Sequence, residues 1–138
     1  RDLRMSRGLG DVYKRQGEIG SIPYLDRDYE YYCSSRFFVG RGTTGKEAYE
    51  RAAAGDPEAL ALWREFGGHV GQLVMLVLYT YDPEAIVFGG SIAHAFGFFR
   101  EAMYEQLKRF PYAKTVEGLH ICCSNIDHVG LLGASACE

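Results

Sequence analysis

Apolar residues recur at three- and four-residue steps between Pro57 and about Thr80, at Leu62, Phe66, Val70, Leu73, Val77 and Tyr81. That is the period of a helix with one buried stripe, and it predicts a long central helix. Asp56 serves as its N-cap, Pro57 suits the first turn and Glu58 lies beside the positive end. Gly67, Gly68 and Gly71 fall inside the same stretch. Each costs about 1 kcal/mol against alanine, so they predict a second backbone packed closely there. Upstream, a helix is predicted from Lys46 to Ala54. Thr44 caps it, Glu47 reaches back to complete a capping box, and Gly55 is the left-handed residue past its end. Asp82-Pro83-Glu84 breaks the long helix, Ala85 to Phe88 reads as a short buried strand, and Gly89-Gly90-Ser91 ends it.

A third helix follows near Phe96 to Phe110, with Phe99, Met103, Leu107 and Phe110 on one face and Pro111 as its stop. Leu119 to Cys123 reads as a strand and Val129 to Cys137 as a last helix of small residues. From Asp28 to Phe38 the aromatics Tyr29, Tyr32, Phe37 and Phe38 fit either a short helix or an aromatic-rich connection, and Gly40 to Gly45 reads as a flexible hinge. The order of elements predicts an α/β fold, a mainly parallel sheet flanked by helices.

Composition narrows the class. With 138 residues, 47% apolar and 24% charged, this is one ordinary globular domain. Fifteen basic against eighteen acidic residues give a net charge of −3, so no general basic field draws the chain onto nucleic acid or anionic lipid. Neither is expected as a partner. The longest apolar run, Leu73 to Tyr79, is far below the roughly 18 residues of a membrane span. Arg1, Arg4 and Arg7 lead into no apolar stretch of the kind a signal peptide needs. Cys122 and Cys123 are adjacent, Cys33 is remote and Cys137 sits beside the last residue; that is no extracellular staple pattern and predicts reduced thiols in the cytoplasm. The chain opens on Arg, and Asp11-Val12-Tyr13-Lys14-Arg15-Gln16 resembles a translated sequencing-adapter tail. Residues 1–16 are therefore expected to be non-native, and residues 17–138 to form the domain. The alternative is a basic arm that binds nucleic acid.

Candidate chemistry is sparse. Gly40-Arg41-Gly42-Thr43-Thr44-Gly45-Lys46 matches a phosphate-binding loop, but Glu47 stands where magnesium binding needs Ser or Thr. The capping box explains the same letters. His120, Cys122, Cys123 and His128 lack the spacing of a zinc site, because adjacent strand cysteines point to opposite faces. No metal ligands are expected, and His69 and His94 read as single surface imidazoles. Two carboxylates remain. Glu18 sits between glycines, where a carboxylate can accept from two neighbouring hydroxyls, and Glu30 follows twelve residues on, able to converge on the same ligand. Either is also readable as a solvated surface charge. Gly89-Gly90 directly after a buried strand fits a ligand beyond the strand's carboxyl end, or simply a tight turn.

Together, Gly-Glu-Ile-Gly at 17–20, Ala-Ala-Gly-Asp-Pro at 53–57, Asp-Pro-Glu-Ala-Ile-Val-Phe-Gly-Gly-Ser at 82–91 and Leu-Leu-Gly-Ala-Ser-Ala at 131–136 resemble, in order, the C-terminal half of ROK proteins. That family holds repressors, uncharacterised reading frames and sugar kinases. The resemblance implies the C-terminal lobe of an actin-like, ribonuclease-H-like ATPase fold, with sugar and ATP in the cleft between two lobes. It implies Glu18, Glu30 and, less closely, Ser21 as sugar-binding residues, with Ser21 standing where the family has histidine. It implies Gly89, Gly90 and Ser91 on the nucleotide side, and ATP with Mg²⁺ as cofactors.

The family's cysteine-rich zinc stretch is absent, so a zinc-free sugar loop organised by Pro23, Tyr24 and nearby aromatics is implied. The catalytic aspartate of the family's Asn-Asp pair belongs to an N-terminal half absent from these residues, so no catalytic residue is assigned here. The implied function is the C-terminal part of a glucokinase-like hexose kinase, itself inactive, with a sugar-responsive repressor or a catalytically dead sugar-binding module as alternatives. A homodimer is expected, because the long apolar helix and the Phe/Met face of the Phe96 to Phe110 helix would stand partly uncovered without a second lobe or subunit.

Overall fold

The computed structural model describes residues 20–123. It opens with a small antiparallel hairpin, β1 (Pro23–Tyr24) and β2 (Arg27–Asp28), whose turn holds Leu25 at φ +54°. Two single-turn helices follow, α1 (Tyr29–Tyr32) and α2 (Arg36–Val39). They resolve the ambiguous aromatic stretch as helical. Next come α3 (Gly45–Ala53), α4 (Pro57–Tyr81), β3 (Ala85–Phe88), α5 (Gly90–His94), α6 (Phe96–Leu107), α7 (Ala113–Glu117) and β4 (His120–Cys123). β3 and β4 pair in parallel, Ala85 opposite His120 through Phe88 opposite Cys123. The α/β class and the parallel pairing stand, although among the described residues the parallel sheet has only these two strands. The predicted helix from Val129 lies outside the described residues.

Local signals set most boundaries. Thr44 Oγ1 accepts from the Glu47 N–H at 3.0 Å, as predicted, but the Glu47 carboxylate takes the hydroxyl of buried Thr43 at 2.8 Å. Only half of the expected box forms, because Thr43 competes for the carboxylate. The turn at Gly40 to Gly45 is held by backbone bonds from Arg41 and Thr43 to the Phe38 carbonyl and from Gly42 to that of Val39. It is a built turn, not the flexible hinge expected. A helix, α2, precedes it, and no strand feeds the loop as a phosphate-binding loop requires. Gly55, at φ +90°, closes α3 with the paired bonds Gly55 N–H to Ala52 and Asp56 N–H to Arg51. Asp56 then caps α4 through Glu58 N–H and takes Arg51 Nε at 2.7 Å. One aspartate thus ends one helix and starts the next.

The core lies between α4, α6 and the aromatics of α2. Trp63, Phe66, Val70, Val74 and Leu78 form the buried stripe of α4, against Phe37, Phe38, Phe99, Met103 and Leu107. The predicted stripe was rotated toward one edge: Leu62 and Leu73 are half-buried flanks, and Trp63 and Val74 take the centre. Two aromatic elements press on α4 from different sides, which widens its buried surface beyond a single seam. Phe99, Met103 and Leu107 are fully buried within the chain, against α4 and, for Phe99, Phe88 and Phe96 as well, so the expectation that this face stands partly uncovered without a partner is corrected. Cys33 and Cys123 are free thiols.

Close approach explains two of the three glycines. A Cβ at Gly67 would lie 2.3 Å from the Phe99 carbonyl oxygen, and one at Gly71 2.5 Å from Gln106 Cβ and 2.9 Å from the Met103 oxygen. At Gly68 the nearest atom is the flexible Gln106 Nε2, 3.9 Å away. Gly67→Ala is therefore expected to lower unfolding stability by about 1–3 kcal/mol through overpacking. Gly68→Ala should raise it by roughly 0.5–1 kcal/mol through helix propensity. Urea unfolding of both variants checks the contrast; equal effects would remove the backbone-contact explanation.

Candidate functional site

The segment from Gly20 to Cys33 carries the candidate sugar residues, and its shape follows from aromatic packing. Tyr24 of β1 stacks on Tyr29 of α1, with ring centroids 4.3 Å apart and planes 16° from parallel. Its edge meets Tyr32 and the His69 ring of α4. Asp28 caps α1 by accepting from Tyr31 N–H at 2.9 Å, and the Tyr32 hydroxyl donates to Asp26 in the hairpin turn. Hairpin and helix thus form one unit. Glu30 is exposed on α1, in the turn that Asp28 caps. A side-chain carbon on Gly20 would meet Glu30 Cβ at 3.3 Å and its Cα and N at 3.8 Å. Gly20, the last residue of the Gly-Glu-Ile-Gly run, therefore lies directly against Glu30. Glu18 itself lies outside the described residues, and Ser21 is exposed beside this junction.

His69 is the residue the sequence reading missed. It is not a lone surface imidazole. The Tyr24 hydroxyl lies 2.8 Å from Nδ1, the Cys33 thiol donates to the His69 carbonyl at 3.4 Å, and Tyr32 and Phe37 flank the ring. Nε2 is buried, 3.5 Å from Glu65 Oε2, close enough for attraction but outside hydrogen-bonding geometry. A proton on Nε2, facing the carboxylate, leaves Nδ1 to accept from Tyr24. Glu65 also grips Arg41 through two bonds, one of 3.0 Å, and Arg41 lies over the Phe37 ring. No spacing rule links Tyr24 to a residue 45 positions away, so nothing in the letters announces this pair.

Burial sets the protonation states. It pushes the Tyr24 phenol up to about 12, with Cys33, Tyr29 and Tyr32 adding to the effect, which keeps the hydroxyl a donor. It likewise pushes the Cys33 thiol up to about 12, so this thiol is a packing group and not a nucleophile. Burial also lowers His69, against Glu65, which favours its cation, and with Arg41, which opposes it. For Glu65 burial works the other way, but Arg41 and then His69 hold the carboxyl below its ordinary value.

Past the long helix, β3 ends at Gly89, half-buried and extended at φ −119°, ψ 176°. It starts α5 with no side-chain cap, so the first-turn N–H groups are not claimed by a capping side chain. Gly90 and Ser91 form the first backbone turn of α5. Among the described residues no three His, Cys, Asp or Glu side chains are grouped to hold a metal ion. No helix among them is long and apolar enough to cross a membrane.

Residues 19–137 match the ROK family. The fold is similar to that of a ROK family transcriptional regulator, a homologue of the E. coli MLC protein, with a TM-score of 0.65 and 19% identity over 80% of this chain. It is also similar to a candidate sugar kinase from Cytophaga hutchinsonii ATCC 33406, with a TM-score of 0.59 and 19% identity over 97% of this chain. The chain spans 33% of the first structure's length and 40% of the second's. None of the curated proteins compared with it matches.

The depressed pKa of His69 has a sign. The unfolded chain takes up the proton first, so the neutral imidazole stabilises the fold above the ordinary histidine value, near 6.5. That stability is lost as pH falls through the lower folded value. Unfolding midpoints are thus expected to drop on acidification below about pH 6.5 and to drop less in His69→Asn. Denaturation series across that range check it; identical pH slopes in the two proteins would refute the assignment.

Proposed function

Because the chain belongs to the ROK family, we propose that it is the C-terminal lobe, residues 17–138, of an ATP- and Mg²⁺-dependent, cytoplasmic hexose kinase of the glucokinase-like kind. The observation that carries the sugar assignment is the contact of Gly20 with Glu30. It brings Gly20, the last residue of the Gly-Glu-Ile-Gly run, to the second glutamate, which supports a ligand shared by Glu18, Glu30 and Ser21. Ionised carboxylates accept only, and two of them converging suit adjacent hydroxyls of a sugar.

The nucleotide assignment rests on Gly89. Its missing side chain and uncapped helix start fit close approach of a polar ligand to the backbone at Gly90 and Ser91. ATP with Mg²⁺ would supply the transferable phosphoryl group there. The chain holds no Asn-Asp pair, the family's source of the base that deprotonates the sugar hydroxyl. Binding without turnover follows.

A sugar-responsive regulator is the second reading, favoured by the likeness to the ROK transcriptional regulator. Sugar would be its effector and the same glutamates its contacts. Sequencing the source locus upstream of Gly17 separates the two: an Asp-x-Gly-Gly-Thr motif and an Asn-Asp pair support the kinase, a helix-turn-helix the regulator. A homodimer rests on the exposed Tyr79 and Tyr112, which flank Phe110 with ring centroids 4.7 and 5.7 Å from it. Light scattering that reports a monomer would remove it.

The purified chain is expected to bind a hexose and to release no ADP from ATP in its presence. Glu30→Gln should weaken hexose binding by about tenfold, the worth of one charged hydrogen bond. Calorimetry and a coupled ADP assay check both; glucose-dependent ADP release would overturn the inactive assignment, and unchanged affinity in Glu30→Gln the role of Glu30.

A further inference from the structure

The sugar site proposed above places Glu30 on α1, a single turn of helix exposed to solvent on the Glu30 side. A four-residue helix has almost no stability of its own. Something must therefore hold its backbone if a carboxylate on it is to bind a ligand in one orientation. Three hydrogen bonds reach α1 from its own neighbourhood: the Asp28 cap, the Tyr32 bond to Asp26, and the bond from Tyr29 N–H to the Ile22 carbonyl at 3.3 Å. All of them close the unit on itself. None ties it to the rest of the fold.

Tyr32 and Cys33 pack against the core, and the directional tie to α4 runs through one residue. Both described hydrogen bonds between this unit and α4 end on His69: the Tyr24 hydroxyl on Nδ1 and the Cys33 thiol on the carbonyl oxygen. They bracket Glu30 in space as well as in sequence. Tyr24 stacks on Tyr29, the residue before Glu30, and Cys33 caps the end of α1 by donating its N–H to the Tyr29 carbonyl at 2.8 Å. His69 is itself anchored. It sits one turn from Glu65, which Arg41 holds from the turn after α2. A chain of contacts thus runs from the α2–α3 turn through Glu65 and His69 to Tyr24 and the backbone at Glu30.

We propose that His69 and Tyr24 are positioning residues of the carbohydrate site: their hydrogen bond fixes α1 on α4 and so aims the Glu30 carboxylate at the sugar hydroxyls. Neither residue touches the sugar. The inference rests on the sugar-binding reading of Glu30, and a site without sugar would leave the clamp with nothing to aim. Because the function of His69 is to accept at Nδ1, any side chain with an acceptor at that position should serve. Asparagine places its side-chain oxygen close to where Nδ1 stands, and leucine offers no acceptor.

The test is a nitrogen–proton NMR titration of the full 138-residue chain with D-glucose, D-mannose, D-fructose and N-acetyl-D-glucosamine. It is run on wild type, Tyr24→Phe, His69→Leu, His69→Asn and, as a control for stability alone, Gly67→Ala. Tyr24→Phe and His69→Leu are expected to raise the sugar Kd about five- to tenfold, the loss of one hydrogen bond's ordering. His69→Asn should stay within about twofold of wild type, and Gly67→Ala should lower the unfolding midpoint without changing Kd. Wild-type affinity in Tyr24→Phe, with sugar still bound by wild type, would overturn the clamp and leave the sugar site standing. Tyr24→Phe removes one hydroxyl only, so it decides the matter even if His69→Leu does not fold. Absence of binding by wild type to any of the four sugars would overturn the sugar reading, and the clamp with it.

Discussion

Backbone-to-backbone contact between α4 and α6 is the constraint on which the rest of the structure depends. Gly67 and Gly71 stand one turn apart on α4 and remove side-chain bulk where Phe99, Met103 and Gln106 of α6 cross. The two helices approach closely enough for Phe99 to meet Trp63 and Phe66 in one aromatic cluster, with centroids 6.1 and 5.3 Å from theirs. Glycine weakens a helix by about 1 kcal/mol per residue. Burial of Phe99, Met103 and Leu107, each worth roughly 1.5–3 kcal/mol, exceeds that. The same crossing fixes α4 against the β3–α5–α6 unit, and so relates the glycine turn at Gly89 to the long helix.

The opposite flank of α4 carries the hairpin and its aromatic helices. Phe37 and Phe38 pack into the core, whereas Tyr24, Tyr29 and Tyr32 lie at its edge with hydroxyls available for hydrogen bonds. Tyrosine suits that boundary because its ring packs and its hydroxyl bonds. His69 lies where this boundary meets α4, and its neutral form is what burial favours. Its charge state, the Tyr24 hydroxyl and the Glu65–Arg41 pair form one coupled set. The candidate Glu30 carboxylate is thus carried by a surface unit held on α4 by aromatic packing and by two hydrogen bonds to His69, whereas α6 is held chiefly by apolar packing.

Much of this was legible in the chain. Asp56-Pro57 starts α4, Gly55 ends α3, and Asp82-Pro83 stops α4, because capping and proline chemistry act within a few residues. The strand Ala85–Phe88 and the apolar face of α6 were equally plain. The buried stripe of α4 was not. Its period was right, but the phase depended on which sides α2 and α6 approach from, and Trp63 and Val74 replaced Leu62 and Leu73 at the centre. The pairing of Tyr24 with His69 was invisible for the same reason. Period and caps are properties of neighbours along the chain, whereas a hydrogen bond across 45 residues exists only after the helices have packed.

The sequence by itself thus determined the family, the order and approximate ends of the helices and strands, and the residue types offered to a ligand. These rest on short-range rules of spacing, backbone preference and charge. The tertiary structure alone decided that Gly20 meets Glu30, that Gly67 and Gly71 but not Gly68 receive another backbone, and that Glu47 bonds Thr43. It also turned His69 from a surface imidazole into the anchor of the hairpin. Each of these is a contact between segments remote in sequence, set by how a few rigid elements share one core.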